Sequence, residues 1–153
     1  MRRKDREVTG FAEIADIISR ADIIRLGLHN GTYPYVVPVS FGFEAVNDSI
    51  TFYFHGAKEG LKHDLIALNS NVCVETDIFH GNIEVHDGIS TEYESVIGFG
   101  KARLVTGEEA EKGIRLLLEH NGYAGYEYDA EALNNTRVYK IELDSFTGKR
   151  LAV

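Results

Sequence analysis

The stretch ITFYFHGAKEGLKHDLIALNSNVCVETD, residues 50–77, predicts a strand, a turn, a helix and a second strand in succession. The β-branched and aromatic residues of ITFYFH favour an extended strand, and Gly56 and Gly60 then mark a turn. Three leucines recur on one face of the predicted helix, Leu61, Leu65 and Leu68. The helix is expected to end at NSN, before the strand VCVETDI.

The residues before this stretch predict one helix and two further strands. Apolar residues recur at helical spacing over residues 10–20, and Thr9 is placed to cap that helix. DIIRLGLH then predicts a strand, NGTY a tight hairpin turn, and YVVPVSFGFE the returning strand. VNDS turns the chain into ITFYFH. Three consecutive antiparallel strands are therefore expected.

The residues after it predict a long strand, a helix and a closing strand. FHGNIEVHDGIST, residues 79–91, is expected to be a polar loop, either a lid or plain surface, before the bent strand YESVIGFGKARLV. Thr106 and Glu109 have the spacing of a capping box at the start of TGEEAEKGIRLLLEHNG. The tyrosine-rich segment 123–128 is expected at an interface or lid, and TRVYKIELDSFTGKR predicts the last strand.

Composition indicates one globular domain over residues 1–153, with 44% hydrophobic and 26% charged residues. Because most strands are linked by hairpins rather than βαβ units, the order favours a mainly β (α+β) antiparallel barrel with peripheral helices. A net charge of −8 argues against a nucleic-acid partner. No apolar run is long enough to span a membrane, and the basic start is not followed by an apolar export signal, so we expect a cytoplasmic protein.

The turn of the opening stretch has the composition of an anion site. His55, Lys58, Lys62 and His63 fall within nine positions, where a strand passes into a helix whose first backbone N–H groups are unpaired. The spacing differs from the G-x-x-x-x-G-K-[ST] nucleotide loop, so a triphosphate is disfavoured. The alternative is a solvated turn in which the lysines serve solubility, and nothing in the sequence requires Lys58 or His63 to point inward.

Pro38 supplies a second indication of a ligand. It interrupts a strongly β segment, and proline removes one ladder hydrogen bond, so Pro38 is expected at a sheet edge or bulge. Backbone groups of Val37 and Val39 would then be free to serve a flat heteroaromatic ligand. A metal site is not expected, because His80, His86 and Asp87 lack the spacing of a metal-binding motif.

Three segments together, YPYVVPVSFGFE, residues 50–77 and YESVIGFGKARLV, resemble in order and spacing the flavin-binding proteins of the pyridoxamine 5′-phosphate oxidase-like split-barrel superfamily. The nitroimidazole-resistance branch is the most similar. The resemblance implies a split β-barrel homodimer with FMN in clefts between the subunits, and it leaves FAD open as an alternative.

The resemblance also assigns residues to the cofactor. Along the isoalloxazine ring it places Val37, Pro38, Val39 and Ser40. Around the ribityl phosphate it places His55, Gly56, Ala57 and Lys62. A third segment, in some members from the other subunit, comprises Glu94, Ser95 and Val96.

The function implied is a flavin-dependent oxidoreductase that reduces a small acceptor, aromatic or nitro-containing, with His55 as the candidate proton donor. One alternative class is a non-catalytic flavin or haem carrier, and another is a barrel with an empty site. Pyridoxamine-phosphate oxidase activity is less expected, because that branch has a further C-terminal segment with substrate-binding arginines beyond the position of TGKRLAV.

Overall fold

The computed structural model describes residues 2–129, 131 and 135–151, which form eight β-strands, three α-helices and a short 3-10 helix at Lys4–Arg6. The helices are α1 (Phe11–Arg20), α2 (Leu61–Leu68) and α3 (Gly107–His120). The strands are β1 (Glu7–Val8), β2 (Ile24–Leu28), β3 (Tyr35–Val39), β4 (Gly42–Val46), β5 (Ser49–Ala57), β6 (Asn71–Val85), β7 (Gly88–Val105) and β8 (Thr136–Leu151). None of the helices in these residues is long and apolar enough to cross a membrane.

The strands form one antiparallel sheet in the order β3-β2-β6-β7-β8-β5-β4, with β1 paired to β8. The sheet curls around its core without closing, and its two outer strands, β3 and β4, are consecutive in the chain. This architecture confirms the mainly β, antiparallel split barrel with peripheral helices. It also places β8, the last strand in the sequence, between β7 and β5.

The segment YVVPVSFGFE forms two strands rather than the single strand predicted. β3 ends at Val39 and pairs only with β2, whereas β4 begins at Gly42 and pairs with β5. The bend between them buries Phe41, whose ring lies 5.5 Å from that of Phe52. A Cβ on Gly42 would lie 2.3 Å from the backbone N of Leu117, so only glycine allows the chain to pass this close to α3.

Two hairpin turns lie where the sequence predicts them. Six residues, 29–34, connect β2 to β3, and within them the backbone N–H of Tyr33 donates to the carbonyl oxygen of Asn30, which closes a tight turn over NGTY. A shorter connection joins β4 to β5 at VNDS, where Asn47 and Asp48 have φ of 52° and 60°. Positive φ at both central residues is the geometry of a type I′ hairpin, which asparagine and aspartate tolerate.

Residues 79–91 belong to a long β-hairpin and not to the loop predicted from their polarity. β6 continues to Val85, β7 begins at Gly88, and the two pair along their whole length except at a bulge between Phe79 and Gly81. Beyond the bulge, residues 81–92 pair only with one another in the described part of the chain. We call this two-stranded extension the β6–β7 arm.

The barrel interior is filled by buried apolar residues from α1, β2, β5 and β8, including Ile17, Ile24, Phe54 and Ile141. α2 contributes Leu65, Ile66 and His63 to the buried side. Leu61 and Leu68 are 47% and 83% exposed, so the predicted leucine face is wrong. Of the three predicted leucines, only Leu65 is among the residues that α2 buries.

α3 covers the outer face of β5 and β8. Its Gly113 lies against Tyr53 and Val138, since a Cβ there would come within 2.7 Å of the tyrosine ring. Thr106 is the N-cap as predicted, but its side chain makes no capping hydrogen bond. Glu109, the other half of the predicted capping box, instead accepts hydrogen bonds from Arg103 and lies 3.0 Å from Lys140.

Candidate functional site

The turn between β5 and α2 forms the centre of the candidate site. Gly60 is the N-cap of α2 and has φ of 139°, a conformation that a residue with a side chain rarely adopts. Its carbonyl oxygen accepts hydrogen bonds from the backbone N–H groups of His63 and Asp64. No side chain caps the helix, so its first N–H groups are available to an anion.

Lys62 lies directly over Gly56 at the end of β5. A Cβ on Gly56 would lie 2.8 Å from Lys62 Nζ, so the absence of a side chain makes room for the amine. The ammonium also lies 5.9 Å from the centroid of the Phe54 ring. Burial lowers the pKa of Lys62, and among the described residues no carboxylate forms an ion pair with it. Lys62 is therefore a half-buried cation without a counter-ion in the protein.

His63, for which no inward role was predicted, is buried and only 2% exposed. Its Nδ1 lies 3.0 Å from the hydroxyl of Tyr139, and the two rings stack at 5.4 Å. The backbone of Ala57 also acts on the imidazole and raises its pKa. A neutral imidazole and a tyrosine hydroxyl can each donate or accept, so this pair satisfies both groups. Burial, Lys62 and Arg137 lower the pKa of His63, which keeps it neutral.

His55 lies on the opposite face of β5 from Gly56. It pairs with Val138 in the ladder, whereas its neighbour Phe54 points into the core. Partial desolvation and the positive charge of Lys62 lower the pKa of His55. His55 is therefore near the turn, but its ring leaves the strand on the side away from the Lys62 amine. Ala57 shares that outer face, and Lys58 is exposed as expected.

The segment Val37–Ser40 lies at the open edge of the sheet. Pro38 stands in the outer strand β3, opposite Arg25 of β2, which confirms the expected edge position. Val39 is buried, Val37 is half-buried, and Pro38 and Ser40 are exposed. Ser40 precedes Gly42 by two residues, and Gly42 pairs with Tyr53 on β5. The chain therefore brings this segment and the β5–α2 turn to the same end of the barrel.

The third predicted segment, Glu94–Val96, pairs with the opposite end of β8 from that turn. Gly56 pairs with Arg137 and Glu94 pairs with Arg150 on the same strand, β8. Positions 137 and 150 are 13 residues apart, or about 40 Å along the strand at about 3.3 Å per residue. In one copy of the chain, most of the length of β8 therefore lies between the residue that pairs with the third segment and the residue that pairs with the turn.

Glu94 is the centre of an ion-pair cluster. Its Oε2 accepts hydrogen bonds from Arg20 at 2.7 Å and lies 3.0 Å from Nε2 of His80, and its Oε1 accepts from Arg150 at 2.6 Å. These partners, Arg20 first, lower the pKa of Glu94 to about 2. Both carboxylate oxygens are occupied by the chain itself, so the cluster fastens α1 to β7 and β8. Ser95 is half-buried and pairs with Asp77 and Lys149, and Val96 is in the core.

A separate cavity of about 550 Å³ opens beside the loop between β2 and β3, against Cys73, Phe99 and Asp144. It includes none of the residues predicted for the site. Burial and the charge of Glu75 raise the pKa of the Cys73 thiol, which keeps it protonated.

The fold and the β5–α2 turn together define a split-barrel protein with a cationic, glycine-lined turn at the open end of its sheet. Comparison with protein families gives a match to the pyridoxamine 5′-phosphate oxidase family over residues 11–150. The chain belongs to this family. Comparison with curated proteins gave no sequence match.

Solved structures support the same assignment. A candidate 5-nitroimidazole antibiotic resistance protein from Bacteroides thetaiotaomicron is 31% identical with a TM-score of 0.83, over 94% of this chain and 85% of that one. The flavocytochrome Anf3 from Azotobacter vinelandii is 18% identical with a TM-score of 0.82, over 100% and 72% of the two chains. An FAD and heme binding protein from Mycobacterium smegmatis is 17% identical with a TM-score of 0.78, over 97% and 74%. At these lower identities the likeness extends to the fold alone.

The residues at the turn fit a phosphate group. They comprise an ammonium without a counter-ion, a glycine that leaves its approach open, and uncapped helix N–H groups. These are the donors that bind phosphoryl oxygens in proteins.

Proposed function

We propose that this protein binds FMN and acts as a flavin-dependent oxidoreductase toward a small acceptor. The observation that carries the proposal is Lys62, a half-buried cation held over Gly56 with no carboxylate partner in the described chain. Leaving a charge desolvated and unpaired costs stability, so such an arrangement is typical of a site that an anionic ligand completes. FMN ends in a phosphate monoester whose dianionic charge lies on one phosphorus, so it is proposed in preference to FAD, in which the same charge is spread over two phosphates.

Different residues of this chain would bind the cofactor and transfer protons. Lys62 and the α2 N-terminus bind the phosphate, and the exposed edge of β3 at Pro38 and Ser40 lies along the ring system. When bound, FMN supplies hydride and electron transfer, and the protein supplies position and protons. Backbone groups next to Pro38 are suited to the ring because this edge makes no further ladder hydrogen bonds in the described sheet.

His55 is the proposed proton donor to the acceptor. Its lowered pKa keeps the ring mainly neutral near pH 7, but a phosphate dianion beside Lys62 would offset the lysine charge and raise that pKa. Substitution His55→Gln keeps a hydrogen-bond donor and removes the titrating group. We expect this variant to lose turnover with the acceptor to a greater extent than it loses FMN affinity.

A nitroaromatic compound is the proposed acceptor. The support is the 31% identity to a candidate 5-nitroimidazole resistance protein over nearly the whole chain. A nitroimidazole is flat and small, which suits a cleft bounded by a strand edge. The test is anaerobic mixing of the FMN-loaded protein with NADPH and then with a nitroimidazole. Flavin that bleaches and is not reoxidised by the nitro compound would contradict this acceptor.

A homodimer is the second part of the proposal. The outer face of the β6–β7 hairpin exposes four large apolar side chains, Phe79, Ile89, Ile97 and Phe99, and shares this face with the ion-paired Glu75 and Asp77. Exposed apolar side chains among polar residues are typical of a surface that another protein covers. A second copy would also explain the distance of Glu94–Val96 from the turn, because the partner subunit can bring this segment to the cleft. Light scattering of the purified protein measures the mass directly, and a monomer would contradict the proposal.

The visible spectrum and FMN titration test the cofactor assignment. The proposal expects flavin absorption bands in the purified protein, or FMN binding after reconstitution. A haem Soret band would favour a haem carrier, and a colourless protein that does not take up FMN would refute the assignment. Substitution Lys62→Ala should weaken FMN binding by about 1.5–3 kcal/mol, since it removes a charge-assisted hydrogen bond. Lys58→Ala is the matched control, because Lys58 is exposed in the same turn.

A further inference from the structure

Arg137 lies at the same end of the barrel as Lys62 and on the same face of the sheet. It is the ladder partner of Gly56, the residue over which the Lys62 amine lies. Tyr139 lies two residues after Arg137 on β8 and pairs with Phe54, and both of these side chains are in the core. Since side chains alternate along a strand, Arg137 shares the inward face with Tyr139. Directly opposed residues have their Cβ positions about 5 Å apart. The side chain of Arg137 therefore leaves the backbone next to the Lys62 amine.

Arg137 is a second cation without a counter-ion. It is half-buried, and in residues 2–129, 131 and 135–151 it forms no ion pair with a carboxylate. Other arginines of the chain, such as Arg20, Arg25 and Arg103, each have at least one acidic partner. The positive charges of both Lys62 and Arg137 act on His63 and lower its pKa. Asp64, an acid that raises the pKa of His63, is exposed.

The buried pair of His63 and Tyr139 fixes the two cations relative to each other. His63 follows Lys62 directly on α2, and Tyr139 lies two residues after Arg137 on β8. The 3.0 Å hydrogen bond between their side chains therefore joins the elements that carry the two charges. Two like charges held at short range in a partly desolvated place repel each other. A dianion between them would remove that repulsion.

We infer that Arg137 is the second phosphate-binding cation of this site and that it donates hydrogen bonds to the phosphate of bound FMN. This inference rests on the proposed function. Lys62 supplies a point charge, and the planar guanidinium of Arg137 supplies paired N–H donors matched to phosphate oxygens. Two cations on one dianion make the site selective for a phosphate monoester over a neutral ligand.

The test compares FMN with riboflavin, which has the same ring system but no phosphate. Dissociation constants are measured by quenching of flavin fluorescence for the wild type, Arg137→Gln, Lys62→Gln and the exposed control Lys58→Gln. Loss of one charge-assisted contact predicts that Arg137→Gln binds FMN about 10- to 100-fold more weakly. Riboflavin affinity should stay unchanged in the same variant, and Lys58→Gln should resemble the wild type with both ligands.

The outcomes separate the inference from the proposal on which it rests. A wild type that binds FMN no better than riboflavin would overturn the phosphate site altogether. A preference for FMN that falls in Lys62→Gln and persists in Arg137→Gln would overturn the role of Arg137 alone. An equal loss of both ligands in Arg137→Gln would also overturn it, because that result indicates general damage.

A measurement on the wild type covers the case in which Arg137→Gln does not fold. Phenylglyoxal modifies accessible arginines, and mass spectrometry reports modification at Arg137. We expect FMN to protect Arg137 and riboflavin to leave it reactive, with exposed Arg115 modified equally in both. Modification of Arg137 that FMN does not reduce would overturn the inference.

Discussion

The substitution Gly56→Ala tests whether the missing side chain of Gly56 is what positions the Lys62 amine. The new Cβ would lie 2.8 Å from both Cε and Nζ of Lys62 and 3.1 Å from Cε1 of His63. Carbon atoms prefer separations of about 3.5–4.0 Å, so the amine must move by about 1 Å. Charge-assisted hydrogen bonds span only about 2.7–2.9 Å, and a displacement of this size breaks one.

The cost should appear in binding and not in folding. Lys62 is flexible and its end can swing away, while alanine replaces a strand glycine without a positive φ and so gains about 0.5–1 kcal/mol. We expect the free energy of unfolding to change by less than about 1 kcal/mol. The free energy of FMN binding should fall by about 1.5–3 kcal/mol, which is about 10- to 100-fold in the dissociation constant.

A double-mutant cycle makes this prediction specific. FMN and riboflavin affinities are measured by fluorescence for Gly56→Ala, Lys62→Gln and the double variant, and urea unfolding measures their stability. If Gly56 acts through Lys62, the double variant should bind FMN no more weakly than Lys62→Gln alone. Additive losses, or an unchanged preference for FMN in Gly56→Ala, would refute the proposed geometry.

Three further substitutions test the ion-pair cluster, the buried hydrogen bond and the apolar face. Glu94→Gln should destabilise the fold by about 2 kcal/mol in urea unfolding, because it leaves two arginines without their buried partner. The pKa of Glu94 is lowered to about 2 from 4.5, so its stabilisation is present above pH 4.5 and lost as the pH falls toward 2; Glu94→Gln should lose less stability over that range. Tyr139→Phe should cost about 1–3 kcal/mol by leaving Nδ1 of His63 unpaired, which thermal denaturation measures against Tyr123→Phe, an exposed control. Phe99→Lys should convert the proposed dimer to monomer in light scattering, and an unchanged mass would remove this face from the interface.

Sequence patterns were sufficient where the structure depends on neighbouring residues. α1 and α3 have strong helical periodicity, and β5 and β8 are rich in β-branched and aromatic residues, so each lies where predicted. The segments 79–91 and 35–44 were wrongly interpreted for different reasons. Residues 79–91 are polar because both faces of the β6–β7 arm are exposed, and this polarity suggested a loop. In YVVPVSFGFE, continuous β propensity concealed a bend that depends on the packing of Phe41 and Gly42.

The candidate site was predicted only in part, because much of it depends on contacts distant in sequence. The glycines and Lys62 were evident from their spacing, and the structure brings the Pro38 segment to the same end. The buried His63–Tyr139 hydrogen bond joins residues 76 positions apart, and Arg137 becomes relevant only through its register with Gly56. No local pattern predicts a strand register across 81 residues, although an arginine beginning the last strand was a signal that could have been considered.

The central position of β8 has a consequence for how the chain folds during synthesis. β8 follows the other described strands in the sequence, yet it pairs with β7, with β5 and with β1 near the N-terminus. Until it is made, the strands β2, β3, β6 and β7 have no ladder to the β4–β5 hairpin in the described sheet. Contacts this far apart in sequence form slowly, and unpaired edges promote aggregation. The β4–β5 hairpin can therefore join the rest of the described sheet only after β8 has been synthesised.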